Sequence, residues 1–521
     1  MKLKKIINFN NILILAYFLL TLFVTLKHEI WRDEGQAWLI ARDSTSFSSF
    51  LKTLGYEGTP GLYHVLLMLF AKTGLPVISM SLLNVAIMTS AVAIFVYGFP
   101  FNKFIKAASI FGYYMAYEYG TIARSYSLLI LFVFAIAAIY KKRHEYKYLY
   151  PILVLLLSNT CLHGTIIAIA FLAAYIYELI FVLKKINTSS IVSLAIMFFG
   201  IALSVFQMIP PPDLGSSEKW ALGMSPLRVC AHALFPLVKN EIQFWNTSAI
   251  PMTFYIWVLG SLALVLPAFM IRKPRNILLC YTAWTGLLIV SCFRHIGGLR
   301  HTGILFIVLL AVLWIDYSEE LGKPIKVTKA SKFPKASNAS KIPMASKGST
   351  ISLVKTYITR FVLPCILIIG IISSAIAVYY ENGYYFSSAK RAAEFIKSQG
   401  YANNLLIVYP ANCGASIMPY MGNKSKFYAL EYGRDISYMI WDKTYEEYYE
   451  KYYYHPEALP LVDSKLLSAM DSNGVKSAIM VTNIPIDTTG LKNKYDILAR
   501  FNTTIVNDEQ FFVYKISKAN T

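Results

Sequence analysis

Residues 1–34 read MKLKKIINFNNILILAYFLLTLFVTLKHEIWRDE. After a lysine-rich start, residues 7–27 are almost wholly apolar. At about 1.5 Å per helical residue they can cross a hydrocarbon core about 30 Å thick. The start imitates a secretory signal, but Val24-Thr25-Leu26-Lys27 has no small-x-small cleavage site. The stretch therefore reads as a retained first transmembrane helix. Just beyond it stands Trp31-Arg32-Asp33-Glu34, charge placed beside lipid, where charge is costly and usually kept for function.

The rest of the chain repeats the pattern. Of its 521 residues 56% are apolar and 15% charged, against about 25% charged in soluble proteins. Apolar runs fall at 7–27, 76–98, 103–120, 124–140, 147–161, 163–183, 190–210, 251–271, 276–293, 302–316 and 356–379. The expectation is a polytopic α-helical membrane protein of about 11 transmembrane helices plus interfacial helices. The formal charge of +20 suggests nucleic acid, but residues 381–521 balance 15 basic against 15 acidic side chains. The excess belongs to the membrane part, where Lys and Arg mark cytoplasmic loops, so no nucleic-acid partner is expected.

Loop charge sets the topology. With the N terminus cytoplasmic and 61–73 not spanning, Lys103/Lys106, Lys141-Lys142-Arg143, Lys184-Lys185, Arg272-Lys273-Arg275 and 323–355 share the cytoplasmic side; a spanning 61–73 would invert them all. This apolar stretch is therefore expected to lie along the outer surface as an interfacial helix. The Lys-Ala-Ser-rich segment 323–355 reads as a disordered cytoplasmic linker. Residues 1–380 form the membrane part, and 381–521 a small extracytoplasmic α/β domain. In the latter, Ser387 or Ser388 caps a helix stopped by Gly400, and 405–409, 477–482 and 511–516 are strand-like around helix-like runs at 443–454 and 463–472. Tyr445, Tyr448, Tyr449, Tyr452, Tyr453 and Tyr454 either line a sugar-binding face or pack at an interface. No nucleotide-binding glycine motif is present, and the six cysteines are scattered without a metal or redox spacing.

Polar residues gather on the outer side of this topology. In the first outer loop, 28–75, the neighbouring carboxylates of Asp33 and Glu34 suit a general base and a holder of hydroxyl groups or metal; solvated loop charge is the alternative. Asp43-Ser44 is expected to cap a short helix with Phe47, Phe50, Leu51 and Leu54 on one face and Gly55 at its end. A Gly/Pro turn then brings Glu57 and His64 back towards Asp33. The second loop carries Glu118, Arg124 and Tyr126; Arg124, at a helix start, is either a bidentate phosphate ligand or an interfacial anchor. The third offers His163, a site residue or a cap. Outer loop 211–250 has the length of a lid. The fifth holds Arg294, His295, Arg300 and His301, cations placed against the positive-inside trend and suited to a phosphate at headgroup depth. None of the outer histidines stands in zinc-site spacing.

In order and context these segments resemble the membrane glycosyltransferases of the GT-C class, especially bacterial protein O-mannosyltransferases and the aminoarabinose transferase of lipid A. Trp31-Arg32-Asp33-Glu34 follows the first span as theirs does; Thr59-Pro60-Gly61-Leu62-Tyr63 is similar to their Pro-Pro-Leu-Tyr, and Ala123-Arg124-Ser125-Tyr126 to their Ala-Arg-Pro-Tyr. Leu162-His163 and the Arg-His segment near 300 also fit. The likeness is clearest over 28–210, looser to 380 and absent in detail beyond. It implies a polyprenyl-phosphate-linked sugar donor used at the outer face of the plasma membrane with inversion at the anomeric carbon. Asp33 would be the general base, and Glu34 would orient it or the acceptor. The acceptor would be an envelope lipid, polysaccharide or protein. Oligosaccharyltransferase relatives bind a divalent metal with a second-loop D-x-E pair; this chain has only Glu118 there, which favours metal-free catalysis. Arg124, Arg294, Arg300 and His301 would hold the donor phosphate. The competing readings are a carrier or flippase for lipid-linked intermediates, expected to carry polar residues through its spans, and a catalytically silent sensor or assembly factor indifferent to loss of Asp33.

Overall fold

A computed structural model describes residues 8–215, 225–249, 254–294, 298–320, 347–423, 425–450 and 459–518. Helix α1 (Phe9–Lys27) is capped by Asn8, whose side chain accepts from the Asn11 N–H at 2.9 Å. One flank, with Ile12, Leu15, Leu19, Phe23 and Leu26, is exposed, while Tyr17 and Thr21 are buried. An apolar face turned outward is what lipid contact requires, and the buried polar groups are satisfied inside: Tyr17 donates to the Met115 carbonyl and Thr21 to the Tyr17 carbonyl.

After α1 come α2 (Arg32–Asp43), α3 (Phe47–Glu57), α4 (Leu62–Ala71), α5 (Ile78–Gly98), α6 (Lys103–Ile110), α7 (Tyr126–Ile139), α8 (Leu149–Ser158), α9 (Leu162–Tyr177), α10 (Thr188–Gln207), α11 (Pro226–Leu234), α12 (Phe254–Met270), α13 (Pro274–Ile289), α14 (Leu299–Glu320) and α15 (Lys347–Gly383). The architecture is multi-pass. Helix α14 is its centre, 94% buried along its apolar window.

The expected count of eleven spans is wrong. Among the described residues seven helices are long and apolar enough to cross a membrane: α1, α5, α9 continued to Leu183, α10, α13 continued to Phe293, α14 up to Glu319, and Ile358–Gly383 of α15. The stretches 103–120, 124–140, 147–161 and 251–271 fall short. The first breaks after the 8 residues of α6 and re-forms as a π turn, Tyr114–Glu118. Helices α7 and α8 have 14 and 10 residues, about 21 and 15 Å long at 1.5 Å per residue, and the described part of the fourth stretch, α12, has 17. An apolar count runs straight through the breaks that end a helix. After α8, for example, Asn159 donates to the carbonyls of Leu155 and Gly200, and Thr160 to that of Leu157. Of the expected disordered linker 323–355, residues 323–346 lie outside the described residues, and 347–355, contrary to expectation, form the start of α15.

Helix α4 has 10 residues, too short to cross, as expected of 61–73. Helix α3 differs from expectation at both ends. Ser46 caps it, accepting from the Ser49 N–H, and it runs through Gly55 to Glu57 before stopping at the left-handed Gly58. Phe50 and Leu54 are buried, but Phe47 is exposed.

Several span helices carry the candidate site at one end and an ionic cluster at the other. At the far ends of α9 and α14, Glu178 and Glu319 gather Arg143, Lys273 and Arg275, and Asp316 accepts from Asn276 at 2.8 Å. Arg143, Lys273 and Arg275 are thus paired.

The C-terminal region bears a six-stranded sheet, order β3-β2-β1-β4-β6-β5, with β1 (Leu406–Tyr409), β2 (Phe427–Ala429), β3 (Arg434–Ile436), β4 (Ser477–Thr482), β5 (Lys494–Phe501) and β6 (Phe511–Ser517). Strands β2, β1 and β4 are parallel, the others antiparallel to their neighbours. The period of two sorts β1 onto two cores: Leu406 and Val408 face α16 (Ala389–Ser398) and α17 (Cys413–Met421), while Ile407 and Tyr409 join Leu466 and Met470 on the other face. Ser388 stands at the N-cap position of α16 without a capping bond from its side chain, while Ser387 Oγ accepts from the Ala389 N–H at 3.1 Å; Gly400 follows the helix at φ 75°. Strands β2, β3 and β5 were not foreseen; β5 is a half-exposed edge without the continuous burial of β1. Tyr445 and Tyr448 are buried in the two cores, and Tyr452, Tyr453 and Tyr454 lie outside the described residues.

Candidate functional site

Helix α2 begins where α1 ends, and Asp33 sits in its first turn, where the exposed N–H groups favour a carboxylate. Its Oδ2 lies 2.7 Å from Arg124 Nη1 and 3.2 Å from Arg300 Nη2; Arg32 Nε is 3.9 Å from Oδ1. Arg124 lies two residues before the first residue of α7, and Arg300 is the second residue of α14. One carboxylate oxygen therefore bridges guanidiniums from two other helix starts. The Asp33 side chain keeps 24% of its surface exposed, so it is reachable. Burial alone would raise its pKa, but Arg124, Arg300 and Arg32 outweigh burial and hold it down at about 2.

Aromatic rings fix Arg300. Its guanidinium lies 4.9 Å from the Trp31 ring centre and 5.4 Å from that of Trp245, and the two indoles meet edge-on at 4.7 Å. Tyr119 donates to the Arg300 carbonyl at 2.6 Å. Beside it, the rings of His163 and His301 stack at 5.6 Å, with Tyr126 edge-on to both. Arg300 Nε approaches His301 Nε2 at 3.4 Å. Asp33, Arg124, Arg300, His301, His163 and Tyr126 thus form one cluster.

Glu34 belongs elsewhere. Its side chain is fully buried; Oε1 accepts from the Ala123 N–H at 2.6 Å, and Oε2 receives His28 Nε2 at 2.9 Å and the Trp31 N–H at 3.3 Å. His28 reaches Glu381 through Nδ1 at 3.0 Å, and Tyr117 donates to the other Glu381 oxygen. Burial alone would lower the His28 pKa, but Glu34 and Glu381 raise it to about 10. The chain Glu381–His28–Glu34 locks the end of α15 to the start of α2 and to the residue before Arg124.

Glu57 accepts from Gln36 Nε2 at 2.8 Å and Trp441 Nε1 at 2.9 Å. Burial pushes its pKa up to about 7, and the charges of Asp33 and Arg124 both act on it. His64 is buried among Phe50 and Tyr63; burial, then Arg124, push it down to about 4. Glu118 is buried and accepts from Tyr113 at 2.8 Å and Trp245 at 3.2 Å. The side chain of Arg294 and the whole of His295 lie outside the described residues. Among the described residues no three His, Cys, Asp or Glu side chains gather as metal ligands.

Sequence reasoning missed the aromatic walls and the C-terminal supports. Trp31 adjoins Asp33, a signal available in the sequence; Trp245 sits deep in loop 211–250 and had none. Helix α17 packs so closely on α2 that a Cβ on Gly35 would lie 2.0 Å from the Ala415 carbonyl oxygen. Glu509, buried, accepts from the Arg32 N–H at 3.2 Å and from Ser416 and Ser387, while Asp508 pairs with the Arg32 side chain at 3.0 Å. Gln36 exchanges hydrogen bonds with the Met439 backbone.

No family model matches the chain, and no curated protein matches it. Among solved structures it is similar to the crystal structure of ArnT from Cupriavidus metallidurans bound to undecaprenyl phosphate, with 14% identity and a TM-score of 0.45 over 97% of each chain. This is a distant structural likeness.

Proposed function

We propose that the chain is an inverting glycosyltransferase that moves a sugar from a polyprenyl-phosphate-linked donor to an acceptor hydroxyl at the outer face of the membrane. The observation that carries this reading is the reachable carboxylate of Asp33 held between Arg124 and Arg300, near the starts of two apolar helices. A base beside two phosphate-binding cations is what transfer from a sugar phosphate needs. The segment likeness over 28–210 supports the same class.

In this reading the donor phosphate sits on Arg124 and Arg300, with His301 and His163 beside it, and its isoprenoid tail stays in lipid. Asp33 takes the acceptor proton as the acceptor oxygen bonds to the anomeric carbon from the face opposite the phosphate. The carbon–oxygen bond to phosphate breaks with its electron pair on the leaving phosphate, where the guanidiniums stabilise the growing charge. Polyprenyl phosphate and the inverted glycoside result, and the proton leaves Asp33 for water. Glu34, through Ala123, and Glu57, through Gln36, support the geometry of the loop. Residues 1–380 form the catalytic part with a cytoplasmic N terminus, and 381–521 an outer domain that holds α2 and faces the acceptor.

The test is reconstitution of wild type and Asp33→Asn in liposomes with a panel of polyprenyl-phosphate sugars and envelope extract. Equal folding is checked by thermal melt. Transfer by the wild type that collapses in the variant is expected; equal transfer by both sinks the role of Asp33.

A further inference from the structure

The carboxylate that should accept a proton is already spent on the cations that should bind the donor. Asp33 Oδ2 contacts both Arg124 Nη1 and Arg300 Nη2, the two guanidiniums assigned to the phosphate. A phosphate oxygen on both would occupy the place of that oxygen. We propose, resting on the function above, that Asp33 is the resident anion of the phosphate site: the donor's phosphate binds by displacing it, and only then is it free to act as a base.

Three observations support the exchange. Arg300 has supports apart from Asp33: the Trp31 and Trp245 rings beside its guanidinium and the bond from Tyr119 to its backbone carbonyl. Arg300 Nη1 is buried and has no hydrogen-bond partner among the described residues, leaving a donor for a second anionic oxygen. The Asp33 side chain keeps 24% exposure, so it has somewhere to go. While paired it is a poor base, held at about 2 by its guanidinium neighbours against burial. Taking those neighbours away and setting a phosphate beside it both push it upward. Departure of polyprenyl phosphate returns the carboxylate to the guanidiniums, and its proton goes to water. The device keeps the base idle until the donor is seated.

An internal competitor lowers apparent affinity by the fraction of time the site is open. Removing it should therefore tighten phosphate binding while abolishing transfer, opposite to the loss expected of a residue that merely shapes the site. The full chain in nanodiscs is titrated with a short-chain polyprenyl monophosphate, which carries no sugar and cannot turn over. Inorganic phosphate is the probe of the headgroup alone. Asp33→Asn and Asp33→Ala should bind both probes at least about fivefold tighter than wild type. Equal or weaker binding in these variants, with binding still reduced by Arg124→Gln, overturns the displacement and leaves the phosphate assignment standing. Binding of both probes unaffected by Arg124→Gln and Arg300→Gln overturns the assignment and the displacement together. Because two guanidiniums without their carboxylate can impair folding, the wild type supplies a second measurement: carbodiimide labelling, mapped by peptide mass. Labelling at Asp33 should rise when the polyprenyl monophosphate is added, and constant or reduced labelling overturns the proposal.

Discussion

The backbone N–H of Arg32 donates to Glu509 Oε1 at 3.2 Å, joining residues 477 positions apart. Glu509 precedes the last strand, and Arg32 is the first residue of the helix that carries Asp33, so the C-terminal region holds the candidate base by its backbone. The same carboxylate accepts from Ser387 and Ser416. Glu509→Ala leaves two buried hydroxyls and the part-buried Arg32 N–H without this acceptor, at about 1–3 kcal/mol for each donor that finds no other partner. A lowered Tm is expected, with transfer falling further than the loss of folded protein explains. Unchanged melting and transfer would show that the contact holds nothing.

Gly35→Ala tests the packing of the same two regions. The added Cβ would lie 2.0 Å from the Ala415 carbonyl oxygen and 3.1 Å from Pro419 Cγ. Backbone cannot yield as a flexible side chain can, so α2 must move off α17, at about 1–3 kcal/mol. Reduced stability and transfer are expected in detergent and in liposomes. A variant with wild-type melting and turnover would contradict so close an approach.

His28 gives the fold a pH dependence. Burial opposes its proton, yet Glu34 and Glu381 raise its pKa to about 10 from 6.5. The folded chain therefore holds this proton more tightly than the unfolded chain. The stabilisation is complete below about pH 6.5 and is lost as pH rises through 10, by at most about 1.4 kcal/mol per pH unit. Thermal melts of wild type and His28→Gln should converge from neutral pH to pH 10. A gap that stays constant would mean that the imidazolium is not the stabilising form.

Arg300→Gln removes one of the two guanidiniums on Asp33 and the cation between Trp31 and Trp245. Removing one preorganised donor of this kind costs about 100-fold or more in turnover. Transfer should drop by that order, and Arg300→Lys should restore only part of it because an ammonium cannot match the planar fork. Full rescue by Lys would reduce the role of Arg300 to charge alone.

Much of this was legible in the sequence. The first apolar run, the charged motif after it, and the capped and buried segments from Ser387 to Tyr409 follow from local pattern, because lipid length, helix capping and strand burial are local demands. The number of spans was not legible: 103–120 and 147–161 are apolar enough, but their helices end at Ile110 and at Ser158, the second where the Asn159 side chain donates to the carbonyls of Leu155 and Gly200, which composition does not record.

At the site, the sequence by itself determined the candidates Asp33, Arg124, Arg300, His163 and His301, since charge beside an apolar span is informative wherever it occurs. The residue types alone could not separate Asp33 from Glu34, which are neighbours of one chemistry; the resemblance alone pointed to Asp33 as the base. Only the tertiary structure decided that Glu34 is sealed against His28 and the Ala123 N–H while Asp33 stays reachable between two guanidiniums. Adjacent positions on a helix point about 100° apart, and what each then meets depends on helices and strands from distant parts of the chain.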